Sequence, residues 1–309
     1  MKKVFIDGST GTTGLRIYER LEKRKDITLI TLSEAQRKDP DARKKAINES
    51  DITFLCLPDD ASRESVSFLE NNKTVIIDTS TAHRTSSGWL YGFPELFSDF
   101  AKRVKTAKKI AVPGCHASGF IALVEPLVKA GIISNSALLT CTSITGYSGG
   151  GKKMIAEYQS QEKPDLYNYP RQYGLGQTHK HLKEMVCICG LENAPAFMPI
   201  VSDFYSGMQV SVPLFKSQLD AGKTFEDVKN VYKKTFNTNL VFYKENDESG
   251  FTSSGAYSGK DSMEISVFGN EERIILQARY DNLGKGASGA AIECLNYVLG
   301  VLPETGLDY

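Results

Sequence analysis

One cysteine stands where its chemistry would be reactive. Cys115 lies in Ile110-Ala-Val-Pro-Gly-Cys-His-Ala-Ser-Gly119. Ile110 to Val112 reads as a strand, Pro113-Gly114 as a turn, and Ala117 to Ala130 as a helix-length apolar segment. A thiol between strand end and helix start meets unpaired N–H groups and the positive end of the helix dipole. Both lower a thiol pKa, and the thiolate is the nucleophile. Cysteine is also one of the most buried residue types, so position alone leaves a packing role open. Three of the four histidines are His116, His179 and His181, the last two in Gln177-Thr-His-Lys-His-Leu-Lys-Glu-Met185. Two imidazoles in a polar stretch are general-base candidates for a cysteine nucleophile. Cys187 and Cys189 follow, but Cys-x-Cys in an apolar run lacks the spacing of a zinc site, so no metal is expected.

The elements that would position these groups begin at the N-terminus. Lys3 to Asp7 is β-rich, Gly8-Ser-Thr-Gly-Thr-Thr-Gly14 follows, and Leu15, Ile17, Tyr18 and Leu21 recur at helical spacing. Strand, glycine turn and helix in that order form a phosphate cradle, here built from Gly8, Thr10, Gly11, Thr12, Thr13 and Gly14. The spacing is G-x-x-G-x-x-G rather than the commoner G-x-G-x-x-G, and a tight turn without a ligand is the plainer alternative. The next strand, Ile27 to Leu32, ends where a dinucleotide's adenosine ribose is met. Glu34 there would suit a 2′-hydroxyl and hence NAD. Ser33 with Arg37 or Lys38, together with Arg16, would suit a 2′-phosphate, and the cations favour NADP(H). Strands at Asp51 to Leu57 and Thr74 to Asp78, with a helix from Ala61 to Leu69 between them, predict a parallel sheet covered on both faces. Ser80-Thr-Ala-His-Arg84, at the ligand edge of that sheet, offers a cation and hydroxyls for an anion.

The pattern changes after residue 115. Ala137 to Thr145 opens into Gly146-Tyr-Ser-Gly-Gly-Gly151, where Gly149 and Gly150 either wrap a substrate or oxyanion or simply form a flexible loop. Pro164 to Gln177 reads as a long loop. Strands are expected at Ala196 to Phe204, Gly207 to Leu214, Leu240 to Tyr243, Met263 to Phe268 and Ile274 to Tyr280, with a helix from Phe225 to Phe236 capped by Thr224. Asp281-Asn-Leu-Gly-Lys-Gly-Ala-Ser-Gly289 opens a last helix whose small residues imply close packing, and the Asn282 amide would suit a nicotinamide carboxamide. The expected fold is α/β. A Rossmann-like parallel-sheet dinucleotide-binding domain spans 1–115 with 284–309, and an α+β catalytic and oligomerisation domain with a mixed sheet spans 116–283. Lys+Arg and Asp+Glu balance at 37 each over 309 residues, which argues against a nucleic-acid partner. No apolar run reaches a membrane span, no signal peptide is evident, and six scattered cysteines suit a reducing cytoplasm.

Gly8 to Gly14, Val112-Pro-Gly-Cys115, His179-Lys-His181 and Asp281 to Gly289 together resemble the N-acetyl-γ-glutamyl-phosphate reductase family, in its shorter branch. The resemblance runs from Lys3 to Gly300, with the Asp281 to Gly289 run its most specific part. It implies NADPH-dependent reduction of a small-molecule acyl phosphate to an aldehyde in arginine biosynthesis, through a thioester on Cys115. It further implies His179 as base with His181 as second choice, Arg84 as a phosphate ligand, and a homodimer or homotetramer. The chain departs from the family in His116-Ala117, where tyrosine and proline often follow the cysteine. It departs again in Lys183-Glu184, where proline and glutamate are common. His116 thereby becomes a third candidate base. The alternatives are an aspartate-semialdehyde dehydrogenase, which the chain resembles more distantly, and a non-catalytic dinucleotide-sensing protein of the same fold.

Overall fold

Alternating apolar runs and amphipathic segments build the first part of the chain, in a computed structural model that describes residues 1–245 and 250–309. The elements are β1 (Lys2–Asp7), α1 (Thr12–Leu21), β2 (Ile27–Ile30), α2 (Pro40–Glu49), β3 (Ile52–Leu55), α3 (Asp59–Ser67), β4 (Val75–Asp78), β5 (Leu90–Tyr91), α4 (Phe100–Arg103) and β6 (Lys109–Ala111). The six strands form one sheet in the order β2-β1-β3-β4-β6-β5, every neighbouring pair parallel. Every residue of β3 and of β4 is buried, as expected of strands covered on both faces. The strand order reverses beside β1, so the glycine loop after it occupies the switch point where such sheets bind ligands. Helix α2, absent from the periodicity reading, carries a clear start signal. Pro40 holds its first turn, and the Asp39 side chain accepts from the Asp41 N–H at 3.1 Å.

From Cys115 a second set of elements follows: α5 (Cys115–Lys129), β7 (Thr140–Gly146), α6 (Gly151–Gln159), β8 (Arg171–Gln172), α7 (His181–Cys189), β9 (Ala196–Ser202), β10 (Met208–Phe215), α8 (Phe225–Thr235), β11 (Val241–Tyr243), β12 (Met263–Gly269) and β13 (Arg273–Tyr280). They make a seven-stranded mixed sheet in the order β11-β12-β13-β10-β7-β9-β8. Along β10, Val210, Val212 and Leu214 are buried while Phe215 is exposed. The alternation turns one sheet face toward α5, which packs on β10 and β13 beside α7 and α8. The expected loop from 164 to 177 contains β8, which pairs antiparallel with β9 through Arg171 and Gln172. Two residues are too few for a period to register.

A π-helical stretch, Gly284–Ser288, then leads into α9 (Gly289–Leu299), which packs on α1 and β4. The segment after β5 packs closely on α9: a Cβ on Gly92 would lie 2.8 Å from the Cys294 sulfur. The chain divides into two compact units, Met1–Gly114 with Ala287–Leu307 and Cys115–Gly286 with Asp308–Tyr309. Cys115 therefore falls in the second unit, because its backbone already belongs to α5 rather than to the sheet edge before it. No helix among the described residues is long and apolar enough to cross a membrane.

Candidate active site

In the first unit, Gly8 to Thr10 line a cleft of about 310 Å³ together with Asp7, Tyr18, Thr31 and Arg37. Gly8 has φ +88°, and a Cβ there would lie 2.4 Å from the Cys56 carbonyl oxygen. A Cβ on Gly14 would lie 2.3 Å from the Gly8 oxygen. Both glycines are required by close approach, the second for seating α1 against the loop. Gly11 stands at the N-cap of α1, so the N–H groups of Thr12, Thr13 and Gly14 open the helix, while the cleft itself is lined by Gly8 to Thr10 and Leu15. Of the residues considered for the ribose, Arg37 lines the cleft while its Nε donates to the Leu32 carbonyl at 3.2 Å. Ser33 is exposed and serves a local turn with Gln36. A cradle that no side chain can enter, with a cation beside it, fits a dinucleotide carrying an extra phosphate.

In the second unit, Cys115 is the first residue of α5. Tyr280 holds that turn. Its hydroxyl accepts from the Gly119 N–H at 3.0 Å and donates to the Cys115 carbonyl at 2.5 Å. A Cβ on Gly119 would lie 2.6 Å from that hydroxyl, so glycine is needed for the tyrosine to reach. A Cβ on Gly286 would lie 3.2 Å from the Cys115 Cβ. Gly286 therefore lies close against the Cys115 side chain. Replacing Tyr280 with phenylalanine removes both of these bonds from the first turn of α5, whose N–H and carbonyl keep each other as helical partners, and should lower stability by about 0.5–1.5 kcal/mol in thermal unfolding.

Three imidazoles gather behind the cysteine. Ring centroids are 5.7 Å apart for His116 and His179, 5.7 Å for His116 and His181, and 4.7 Å for His179 and His181. His116 bonds Ser143 Oγ through Nδ1 and the Tyr173 hydroxyl through Nε2, each at 2.6 Å. Burial, helped by His179, pushes its pKa down to about 3. A ring this buried, with both nitrogens hydrogen-bonded, stays uncharged at neutral pH. His179 is also lowered, by burial first and then by Lys180. Its Nδ1 accepts the His181 backbone N–H at 3.2 Å, so the neutral ring carries its proton on Nε2 and presents a donor. Among the described residues no three His, Cys, Asp or Glu side chains converge to hold a metal.

The unfolded chain binds the His116 proton near pH 6.5, the folded chain only near pH 3. His116 thus contributes stability that is complete above pH ~6.5 and is lost as pH falls through this window. Acid unfolding of a His116→Gln variant should show a correspondingly flatter pH dependence.

The comparisons with known proteins agree with this chemistry. Residues 3–104 match a family model described as semialdehyde dehydrogenase, NAD binding domain, and residues 115–282 one described as semialdehyde dehydrogenase, dimerisation domain. The chain is 42% identical over 318 residues to N-acetyl-gamma-glutamyl-phosphate reductase 2 of Nostoc sp. (strain PCC 7120), covering 99% of each. It is 42% identical to N-acetyl-gamma-glutamyl-phosphate reductase of Rhizobium meliloti, over 96% of this chain and 98% of that one. The chain belongs to the N-acetyl-γ-glutamyl-phosphate reductase family. Its fold is also that of aspartate semialdehyde dehydrogenase II from Vibrio cholerae, with a TM-score of 0.72 at 16% identity over 97% of this chain and 98% of that chain.

Within this reductase-family fold, two residues expected to bind ligands also hold the chain together. Asn282 is buried; its amide oxygen accepts from the Gly207 N–H at 3.0 Å and its nitrogen donates to Ser148 Oγ at 2.9 Å. It secures the Gly146 to Gly150 segment through Ser148. Arg84 donates from Nε to the Val112 carbonyl at 2.8 Å and from Nη2 to the Thr79 carbonyl at 2.9 Å. It ties the exit of β4 to the segment leading into Gly114. Gly149 and Gly150 are exposed, at the turn into α6. The reading of this reductase-family sequence overlooked Tyr173, Ser143, Tyr280 and Gln177. Gln177 carried a usable signal only in three dimensions. Its backbone is left-handed at φ 53°, and its side chain pairs with both the N–H and the carbonyl of Phe197, at 2.8 and 2.7 Å. It pins the loop that carries Tyr173 and His179 to β9.

Proposed function

We propose that the protein is an NADPH-dependent reductase that converts N-acetyl-γ-glutamyl phosphate to N-acetylglutamate 5-semialdehyde and phosphate, a step of arginine biosynthesis. The observation that carries this reading is a helix that starts on a cysteine, with three imidazoles behind it, in a chain 42% identical to named reductases over nearly its full length. Cys115 attacks the acyl-phosphate carbonyl. A C–S bond forms, the C–O bond to phosphate breaks, and phosphate leaves with the electron pair. His116 is too weak a base and His179 presents a donor, so His181 takes the thiol proton, with His179 as the hydrogen-bond donor beside it. The resulting thioester is far more electrophilic than a carboxylate. NADPH, when bound, supplies the hydride that carries the thioester to the aldehyde level. Collapse of the adduct breaks the C–S bond and returns the thiolate. Main-chain N–H groups at Gly149 and Gly150 meet the substrate's anionic end, and Arg84 acts by positioning the strand exit.

Gly8, Gly11, Gly14 and the threonines Thr10, Thr12 and Thr13 hold the cofactor's pyrophosphate, and Arg37 its 2′-phosphate. The lining of the cleft includes Arg37 and not Glu34, which supports NADP over NAD. Arg37→Ala should weaken NADPH binding about 10–100-fold and leave NADH binding within about twofold, the loss of one charge-assisted contact. Titration of both cofactors checks this. We place self-association, as a homodimer or a homotetramer built from it, on the sheet face that carries Phe215 and Ile275, both exposed. We place the protein in the cytoplasm, where its free thiols stay reduced.

The deciding experiment follows NADPH formation from N-acetylglutamate semialdehyde and from aspartate semialdehyde, each with and without inorganic phosphate. Phosphate-dependent turnover of the first alone is expected. Preference for the second makes the protein an aspartate-semialdehyde dehydrogenase. NADP binding without turnover of either makes it a dinucleotide sensor.

A further inference from the structure

His116 follows the nucleophile directly, yet neither attacks nor titrates at working pH, so its two short hydrogen bonds need another purpose. Their polarity can be deduced. Ser143 lies in β7, fully buried, and among the described residues its hydroxyl has one hydrogen-bond partner, His116 Nδ1 at 2.6 Å. If that nitrogen carried the ring proton, the serine O–H would be buried with no acceptor, an expensive arrangement. The serine therefore donates and Nδ1 is bare. An uncharged imidazole has one proton, which then sits on Nε2 and points at the Tyr173 oxygen 2.6 Å away. Tyr173 receives this bond on oxygen, so its own proton is directed elsewhere. The tyrosine is half-buried, on the loop that Gln177 pins to β9. Burial raises its pKa, which keeps the hydroxyl protonated, and its bond to His116 places it one residue from the nucleophile along the first turn of α5.

We infer that His116 is a positioning residue: held by Ser143, it donates from Nε2 to Tyr173 and thereby aims the phenolic proton at the carbonyl oxygen of the acyl group carried by Cys115. This inference rests on the thioester reading above. The sequence Ser143 O–H to Nδ1, Nε2–H to Tyr173 and Tyr173 O–H to the substrate oxygen is a chain of donors with one direction. Its end is a donor aimed where negative charge develops as the carbonyl becomes tetrahedral. No proton is transferred; each group keeps its own.

The test combines Tyr173→Phe, His116→Leu, His116→Gln and the Tyr173→Phe/His116→Leu double variant. Tyr173→Phe should lower kcat about 10²–10³-fold, the loss of one donor to an oxyanion. His116→Leu should lower it at least about 10-fold, with KM for NADPH unchanged. His116→Gln, whose amide can still donate to Tyr173, should recover most of that loss. The double variant should be no slower than Tyr173→Phe alone, since His116 acts only through the tyrosine. Iodoacetamide alkylation of Cys115 should proceed at the wild-type rate in every variant, which a collapsed site would not allow. Nitrogen-15 shifts of His116 in the wild type should report a bare Nδ1 and a protonated Nε2. The reverse tautomer, a His116→Leu enzyme with wild-type kcat, or fully multiplicative effects in the double variant would each overturn the inference. Absence of turnover in the wild type would instead overturn the reductase reading, and the tautomer measurement stands apart from that outcome.

Discussion

A Cys115→Ser enzyme should lose at least about 10⁴-fold in kcat/KM for phosphate-dependent turnover, the scale on which removal of a nucleophile is felt. The reason is the difference between a thiol and an alcohol at the same place. A cysteine at a helix start is ionised to a useful fraction near neutral pH, whereas a serine hydroxyl there stays protonated without a dedicated base. Serine is nearly isosteric, so Tyr280 keeps its bond to the carbonyl of residue 115 and the fold is retained. Binding of NADPH, read by its fluorescence, should be unchanged, because the glycine cradle belongs to Met1–Gly114. Retention of more than a few per cent of the activity would exclude a thioester. So would failure to trap a covalent acyl-enzyme by mass spectrometry when wild-type protein is mixed with acyl phosphate and no cofactor.

The second large effect separates two histidines that the chain places two residues apart. His181→Asn should lower kcat about 10²–10⁴-fold, the range for losing a general base, and should flatten the acid limb of the pH–rate profile. His179→Asn should cost only about 10-fold, since a neutral ring with its proton on Nε2 contributes a hydrogen bond rather than proton transfer. The assignment turns on His179 Nδ1, which accepts a backbone N–H from His181. The order expected from the His-x-His motif puts His179 first. If His179→Asn proves the more damaging and removes the acid limb, that order is restored and His181 becomes the supporting ring.

Much of this protein was legible from residue order, for reasons that are local. The strand, glycine turn and helix at Lys2 to Leu21 follow from composition and period, and the steric need for glycine at 8 and 14 is a backbone matter. Thr224 caps α8 as expected, with Asp227 returning a bond to it, and Cys115 opens a helix because Pro113-Gly114 ends what precedes it. The cysteine proposed as nucleophile, the parallel sheet and the mixed sheet all come from patterns within a few residues.

Tertiary structure alone decided what each polar group does. Asn282 and Arg84 carry the right chemistry for ligands, and hydrogen bonding to Gly207, Ser148, Val112 and Thr79 gives them the further work of holding the chain in place. Ser143, Tyr173 and Tyr280 are 28, 58 and 165 residues from Cys115 along the sequence and lack any motif; only sheet register and loop docking bring them to the thiol. The physical reason is the same in each case. A residue's type sets what it can donate or accept, while which partner it meets, and therefore its protonation and its role, is settled by contacts that close over long stretches of chain.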